Sequence, residues 1–179
     1  VSKEVSLKNG KMDGICKTWF WESERDGIEY SLESEISYKE NLKNGISKWW
    51  YGNGQKEFEG NYTEGKLDGL GKGWYENGQL KKEVNYKDGE PDGLWRDWYE
   101  NGQLIQEGNY KNGKFIDDVR QIWYENGQLK EEVNFKEGKR DGLSKLWYEN
   151  GQLKEEVNYQ HDLKHGESRS YKPDGELED

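Results

Sequence analysis

The chain has little of what a compact globular core usually needs. Only 30% of its 179 residues are hydrophobic, and it contains one cysteine, one methionine and two prolines. A single cysteine, Cys16, excludes an internal disulfide and suits a reducing compartment. No run of about 18 apolar residues is present, so the sequence offers no candidate membrane-spanning helix. We therefore expect a cytoplasmic protein. The alternative is a secreted or cell-surface protein from which a signal segment was removed, since the sequence does not begin with Met.

Large aromatic residues take the place of the missing aliphatic ones. There are nine Trp and twelve Tyr, and each ring buries much surface when it packs. The low hydrophobic content by itself would indicate disorder, but the polar residues recur at regular intervals. This combination predicts a folded chain with a thin, extended core rather than a single compact one.

The net charge of −10 is concentrated in two segments. Glu22–Glu40 carries seven acids and two bases, and Asp141–Asp179 carries ten acids and five bases. A net-acidic protein repels nucleic-acid phosphates and anionic lipids, so we expect neither direct nucleic-acid binding nor membrane binding. A basic protein is the better-matched partner. Solubility alone is the alternative role for this charge.

A unit of about 24 residues repeats along the chain. Its tyrosine recurs at Tyr51, Tyr75, Tyr99, Tyr124, Tyr148 and Tyr171. An Asn-Gly or Asp-Gly dipeptide follows each tyrosine, and a second turn signal of the Glu64-Gly65 type lies between units. About seven residues separate the turns, which is a strand length. The unit is therefore a strand, a tight turn, a strand and a looser turn.

The Asn-Gly dipeptide predicts a two-residue type I′ turn, because this turn needs positive φ at both central residues. Adjacent residues of a strand point to opposite faces, so Tyr75 and its neighbour Trp74 are expected on opposite sides. The cross-strand pairs predicted for this hairpin are Tyr75/Leu80, Gly71/Val84, Gly69/Tyr86 and Trp74/Lys81. In the next hairpin the same rule pairs Trp95 with Gly108, a large residue against a small one.

The repeat resembles a known family. Glu59–Leu80, which reads EGNYTEGKLDGLGKGWYENGQL, and Glu107–Lys114, which reads EGNYKNGK, resemble the MORN-variant repeat of bacterial proteins. Such proteins are often described as antitoxins of toxin–antitoxin systems. The resemblance covers about Gly45 to Tyr171 and implies a scaffold or protein-binding role without a cofactor. Some eukaryotic relatives are linked to phospholipids, but this chain lacks the basic cluster which that role needs.

We predict an all-β fold: an elongated, curved, open-ended single antiparallel sheet of about seven stacked hairpins. Residues 1–44 are expected to be degenerate N-terminal units. Residues 45–165 are expected to form five regular units, and residues 166–179 a half-unit with an acidic tail. The oligomeric state stays open, since a sheet with open edges can associate with another.

No group of residues has the pattern of a catalytic or metal site. His161 and His165 are four apart but lie in a looser turn, where we expect solvated side chains rather than a zinc site. Glu131 and Glu132 are neighbours on a strand and therefore face opposite ways, which excludes an acid/base pair. We predict a protein that is not an enzyme and binds no cofactor or metal.

A row of tryptophans, one in each regular repeat, is the feature that indicates a binding function. Either these rings form half of the core, with Lys81, Lys130 and Lys154 lying across them, or they line an aromatic groove for a partner. The function predicted is a non-enzymatic repeat that binds and neutralises a basic protein, such as a nuclease toxin or a nucleic-acid-processing effector. A secreted or cell-surface scaffold is the alternative. The candidate partner-binding residues are Trp50, Trp74, Trp98, Trp123, Trp147, Glu22, Glu24, Asp26, Glu176, Glu178 and Asp179.

Overall fold

The chain folds into antiparallel β-hairpins joined by short turns. The computed structural model describes residues 2–24, 27–116 and 119–178, with the backbone alone at 22–24 and 27–29. In these ranges there is no helix, and hence none that could cross a membrane. The predicted all-β hairpin array is confirmed. The contacts divide the chain into two units, Val1–Glu90 and Pro91–Asp179.

The strands of the first unit are β1 (Ser2–Glu4), β2 (Leu7–Lys8), β3 (Lys11–Met12), β4 (Gly14–Glu24), β5 (Gly27–Lys39), β6 (Leu42–Trp50), β7 (Lys56–Thr63), β8 (Lys66–Trp74) and β9 (Leu80–Lys87). They lie in the order β1-β4-β5-β6-β7-β8-β9, and β2 and β3 form a separate small hairpin.

The second unit has the same hairpin pattern. Its strands are β10 (Glu90–Trp98), β11 (Leu104–Lys111), β12 (Lys114–Phe115), β13 (Val119–Trp123), β14 (Leu129–Lys136), β15 (Lys139–Arg140), β16 (Gly142–Trp147), β17 (Leu153–Gln160) and β18 (Leu163–Ser170). They lie in the order β10-β11-β13-β14-β16-β17-β18. Two short strands lie off this path, since β12 pairs with β11 and β15 pairs with β14.

The predicted register is confirmed away from the Asn-Gly turns. Gly69 pairs with Tyr86 and Gly71 pairs with Val84. In the second unit, Trp95 pairs with Gly108 as predicted.

At the Asn-Gly turns the predicted loop is wrong. Gly78 N donates to Tyr75 O at 2.9 Å, and Tyr75 N donates to Gln79 O at 2.9 Å. Of the two dipeptide residues only Gly78 has positive φ, at 85°. The loop is therefore a three-residue turn followed by a bulge rather than a type I′ turn. As a result Trp74 pairs with Leu80, and the predicted Tyr75/Leu80 and Trp74/Lys81 pairs do not form.

The turn predicted to be the looser one is the two-residue type I′ turn. Glu64 and Gly65 have φ of 50° and 85°, and the flanking Thr63 and Lys66 pair directly. His161 and Asp162 adopt the same conformation without a glycine, at 51° and 70°. His161 therefore lies in a turn as expected, whereas His165 lies in β18.

The most buried residues all lie on one face, which we call the tyrosine face. It contains Gly71, Val84 and Tyr86 in the first unit and the residues that share a face with Val133 in the second. A Cβ at Gly71 would lie 3.0 Å from Cε2 of Tyr86, so this ring packs directly on the glycine backbone. The buried side chains are Cys16, Ser34, Ser47, Val84, Val133 and Val157.

Gly69 lies directly opposite Tyr86 but is not the glycine that this ring covers. A ring often covers the bare backbone of a cross-strand glycine, and here the Tyr86 ring contacts Gly71 rather than Gly69. Gly69 has φ of 103°, a conformation that L side chains rarely adopt. It sits where the register of β7 and β8 shifts, between the pairs Gly60/Gly71 and Tyr62/Leu67.

Candidate protein-binding face

The opposite side of the sheet, which we call the tryptophan face, carries an exposed aliphatic row in the first unit. Ile15, Ile46 and Leu70 are 47%, 54% and 42% exposed. Each follows a glycine of positive φ, at Gly14, Gly45 and Gly69 respectively. Equivalent residues of successive hairpins are about 9–10 Å apart, because two strand spacings separate them.

A row of paired charges runs beside the aliphatic row. Lys17 Nζ lies 3.3 Å from Glu35 Oε2, and Lys72 Nζ lies 2.8 Å from Glu83 Oε2. Lys48 stands opposite Glu59 in the hairpin between them. Partly exposed pairs of this kind contribute about 0–1 kcal/mol each to stability. Because acids and bases alternate, this part of the face is close to neutral.

The tryptophan row lies on the far side of the charged row. Trp50 and Trp74 are half-buried at the ends of β6 and β8. Lys56 Nζ lies 4.9 Å from the ring centroid of Trp74 and 2.7 Å from Glu59 Oε2. A lysine at this distance gives a cation–π contact while its charge stays paired.

Trp19 belongs to this row, and the sequence-based prediction missed it. It is half-buried and occupies the position of Trp50 and Trp74 in its strand. The signal was present, because GICKTW at residues 14–19 has the spacing of GISKWW at 45–50 and GLGKGW at 69–74. The degenerate turn that follows GICKTW hid this likeness.

The second unit carries the same three rows. Trp98, Trp123 and Trp147 are half-buried. Their neighbours in the aliphatic row are Leu94, Val119 and Leu143. The polar row consists of Arg96–Glu107 at 3.1 Å, Gln121–Glu132 at 2.9 Å and Lys145–Glu156 at 3.5 Å.

The tryptophan row does not supply the most buried part of the protein. No predicted tryptophan is among the buried side chains, which lie on the tyrosine face. The lysines expected to cover the tryptophans also lie elsewhere. Their Nζ atoms are above tyrosine rings, in the pairs Lys81–Tyr75 at 5.2 Å, Lys130–Tyr124 at 5.3 Å and Lys154–Tyr148 at 5.4 Å.

The predicted acidic residues are only partly described. Asp26 and Asp179 lie outside the described residues, and Glu22 and Glu24 are described by their backbone alone. Glu176 and Glu178 are exposed in the segment after β18. That segment continues the row of Asn-Gly turns, since Asn150 Nδ2 donates to Pro173 O at 2.8 Å. Lys172 Nζ lies 3.3 Å from Glu176 Oε2.

Glu131, Glu132 and His161 form neither an acid/base pair nor a three-residue metal cluster. Glu131 pairs with Ile122 and Glu132 with Gln121, so the two carboxylates point to opposite faces as predicted. His161 Nδ1 lies 3.9 Å from Asp141 Oδ2, and no cluster of three His, Cys, Asp or Glu side chains in the described ranges could hold a metal.

Burial raises the pKa of Tyr62, and the nearby Tyr86 raises this pKa further.

Comparison with known families agrees with this geometry. The MORN repeat variant matches residues 43–64, 67–88, 91–112, 119–137 and 140–161, more than half of the chain. Each match contains one of the five predicted tryptophans. Repeats of this family are non-catalytic and are generally protein-binding or membrane-binding modules. No curated protein matches the chain.

Proposed function

Because this chain belongs to the MORN repeat variant family, we propose that it is a non-enzymatic module that binds a basic protein on its tryptophan face. The observation that carries the proposal is the aliphatic row of that face. Ile15, Ile46 and Leu70 stay about half exposed although the sheet has a buried core on its other side. Exposed apolar rows rimmed by polar residues are typical of interaction sites.

The three rows suit a protein partner better than a small ligand. In protein interfaces, buried apolar and aromatic residues usually anchor the partner, and polar residues orient it. The tryptophan face has both, because its charged row lies between an aliphatic and an aromatic row. Trp50 and Trp74 would act as anchors, since half-buried rings need little reordering when a partner covers them. The Lys72–Glu83 pair would orient the partner through hydrogen bonds.

The sign of the partner's charge follows from the excess of acids over bases in the chain. Lysine and glutamate are paired in the charged row of the tryptophan face, so this row adds little to the net charge of −10. Glu22–Glu40 and Asp141–Asp179 each contribute −5. Long-range attraction by these segments would speed association with a basic protein, while the tryptophan face would hold it. A nuclease toxin or a nucleic-acid-processing effector is such a protein, and the acids would then block its phosphate-binding surface. This is the antitoxin role that the resemblance implied.

The test separates the face from the charge. The chain is used to capture proteins from a lysate, and the affinity of each captured protein is measured by titration calorimetry. The face variant is Ile46→Ala with Leu70→Ala, which changes only partly exposed side chains. Leu163→Ala is the matched control, because Leu163 is 73% exposed in β18 and outside the three rows. The charge variant is Glu176→Gln with Glu178→Gln.

We expect the face variant to bind at least about tenfold more weakly and the Leu163 variant to bind as the wild type does. The charge variant should mainly slow association, and raising NaCl from about 0.05 to 0.5 M should do the same. The proposal of a basic partner would be refuted if the captured proteins were acidic, or if their affinities did not change with NaCl concentration. Full affinity in the face variant would refute the site.

A further inference from the structure

One glutamate in the charged row of the tryptophan face lacks a base. Six hairpins each place one glutamate in this row. Five of these carboxylates lie within 3.5 Å of a basic nitrogen, in the pairs Lys17–Glu35, Lys56–Glu59, Lys72–Glu83, Arg96–Glu107 and Lys145–Glu156. The sixth glutamate, Glu132, forms no ion pair among the described residues, and Gln121 Nε2 donates to its Oε2 at 2.9 Å. The second unit has no lysine or arginine outside the described residues, so the sequence of this repeat leaves the carboxylate without a base.

Gln121 occupies the position that a base has in the neighbouring hairpins. It stands opposite Glu132, where those hairpins have Arg96 and Lys145. On its other side in the sheet Gln121 stands opposite Glu107. An uncharged side chain therefore separates two carboxylates that are two strand spacings, about 9–10 Å, apart. Arg96 Nε lies 3.1 Å from Glu107 Oε2, so Glu132 is the one of the two without a compensating charge.

Glu132 can accept a further hydrogen bond. A carboxylate has about four lone-pair sites, and Gln121 uses one of those of Glu132. Lys145 stands opposite Glu132 on its other side in the sheet, but its Nζ lies 3.5 Å from Glu156 Oε1. A cation that approaches Glu132 would therefore form a charge-assisted hydrogen bond without breaking an ion pair of the chain.

A depression of about 470 Å³ lies directly beside this carboxylate. Since a molecule of liquid water occupies about 30 Å³, the depression has room for the end of a long side chain. Gln121 and Glu132 line its polar part, and Leu94 and Val119 contribute apolar surface. Val119 is 38% exposed. Lysine and arginine combine an apolar stem with a charged end, so their side chains match both parts of this lining.

We propose that a lysine or arginine side chain of the basic partner enters this depression and supplies the base that the repeat lacks. Its stem lies along Leu94 and Val119, and its charged group binds Glu132 beside Gln121. At the equivalent position of the neighbouring hairpins the chain's own base would repel such a guest, so the cation selects this repeat. The inference rests on the proposed function for the basic character of the partner, and it adds which repeat receives a cation and why.

The probe is an end-capped tripeptide of leucine, arginine and leucine, added at up to about 10 mM so that weak binding is detected. Binding is followed by nitrogen-15 NMR through the side-chain amide of Gln121 and the backbone amide of Glu132. A tripeptide with citrulline in place of arginine is the matched probe, because citrulline has nearly the same shape without the charge.

Two variants carry the same substitution at different places. Gln121→Lys restores a base opposite Glu132, in the way that Lys72 stands opposite Glu83. Gln160→Lys is the matched control, since Gln160 is exposed at the end of β17, outside the tryptophan face and the depression. Both variants change the net charge equally. Glu132→Gln removes the carboxylate itself and serves as a second variant of the site.

We expect the arginine tripeptide to shift both signals in the wild type and to bind Gln160→Lys as tightly. The citrulline tripeptide, Gln121→Lys and Glu132→Gln should each reduce the affinity at least about tenfold. The captured protein should lose affinity for Gln121→Lys in the same way. Equal binding of the citrulline tripeptide, undiminished binding in either site variant, or no binding to the wild type would overturn the site.

The Ile46→Ala, Leu70→Ala variant separates this proposal from the proposed function. Both residues lie in the first unit, so the variant should bind the tripeptide as the wild type does. If Gln121→Lys keeps the captured protein but the double variant loses it, the cation site is wrong and the tryptophan face stands. If the tripeptide binds at Glu132 but the double variant keeps the captured protein, the cation site stands and the aliphatic row is not the anchor.

Discussion

Asn126, in one of the Asn-Gly turns of the second unit, makes two side-chain hydrogen bonds with different consequences. Its Oδ1 accepts from Gln128 N at 2.9 Å and closes its own turn. Its Nδ2 donates to Glu149 O at 2.9 Å and joins this turn to the next. The same two bonds recur at Asn53, Asn101 and Asn150. The asparagine is therefore a link between repeats as well as a turn residue.

The two bonds can be separated by substitution. Asn126→Asp keeps the Oδ1 acceptor but loses the Nδ2 donor and places a carboxylate oxygen beside the Glu149 carbonyl, so we expect a loss of about 1 kcal/mol. Asn126→Ala loses both bonds and should cost about 2 kcal/mol, near the middle of the range for two bonds of about 0.5–1.5 kcal/mol each. Each kcal/mol corresponds to a fall in Tm of about 2–4 °C for a chain of this length.

The measurement is urea unfolding followed by both tryptophan fluorescence and circular dichroism, so that departures from two-state behaviour are seen. We expect the order wild type, Asn126→Asp, Asn126→Ala. Asp174 supplies the control, because it accepts from Glu176 N at 3.0 Å in the last described turn. Asp174→Asn should change stability by less than about 0.5 kcal/mol. A wild-type stability in Asn126→Asp would refute the link between repeats, and equal losses in both variants would refute the bond within the turn.

Three further predictions concern the tyrosine face and the bulges. Gly69→Ala should cost about 1–3 kcal/mol in urea unfolding, because a φ of 103° is strained for a residue with a Cβ. The new Cβ itself would have room, since it would lie 3.8 Å from Asn61 Cβ. An unchanged unfolding midpoint would show that the backbone relaxes. Ser47→Ala should stabilise by about 1 kcal/mol, since this fully buried hydroxyl has no hydrogen-bond partner among the described residues; a loss of stability would contradict that. Tyr62 has a raised pKa in the folded chain. Its contribution to the free energy of unfolding is therefore complete below about pH 10 and is lost as pH rises through the folded pKa. Tyr62→Phe should therefore flatten the alkaline fall in stability measured by unfolding at successive pH values, and a fall as steep as that of the wild type would contradict this.

The hairpin register could be predicted from the sequence although its turn was assigned wrongly. A three-residue loop centred on Asn77 shifts the pairing by one residue, as the pair Trp74/Leu80 shows. The bulge that follows adds one residue to β9, and from Gly73/Lys82 onward the pairing has the register predicted for Gly71/Val84. The shift caused by the longer loop and the opposite shift caused by the bulge therefore cancel, which is why the predicted pairing holds beyond the turn. The Asn-Gly dipeptide predicts a hairpin reliably, but the Asn Oδ1 bond to the residue after Gly favours the longer loop.

Hydrophobicity could not predict which face of the sheet is the buried one, because both faces carry an apolar row in every repeat. Residue size decides which face is buried. On the tyrosine face, Gly71 allows the Tyr86 ring to lie on the backbone, and the Val84 side chain is fully buried. On the tryptophan face the corresponding middle row is Lys72 with Glu83, whose paired charges separate Leu70 from Trp74. Long charged side chains keep these apolar rows apart, so neither row can fold over the other. The aliphatic residues of that face consequently remain about half exposed, as Ile46 and Leu70 show.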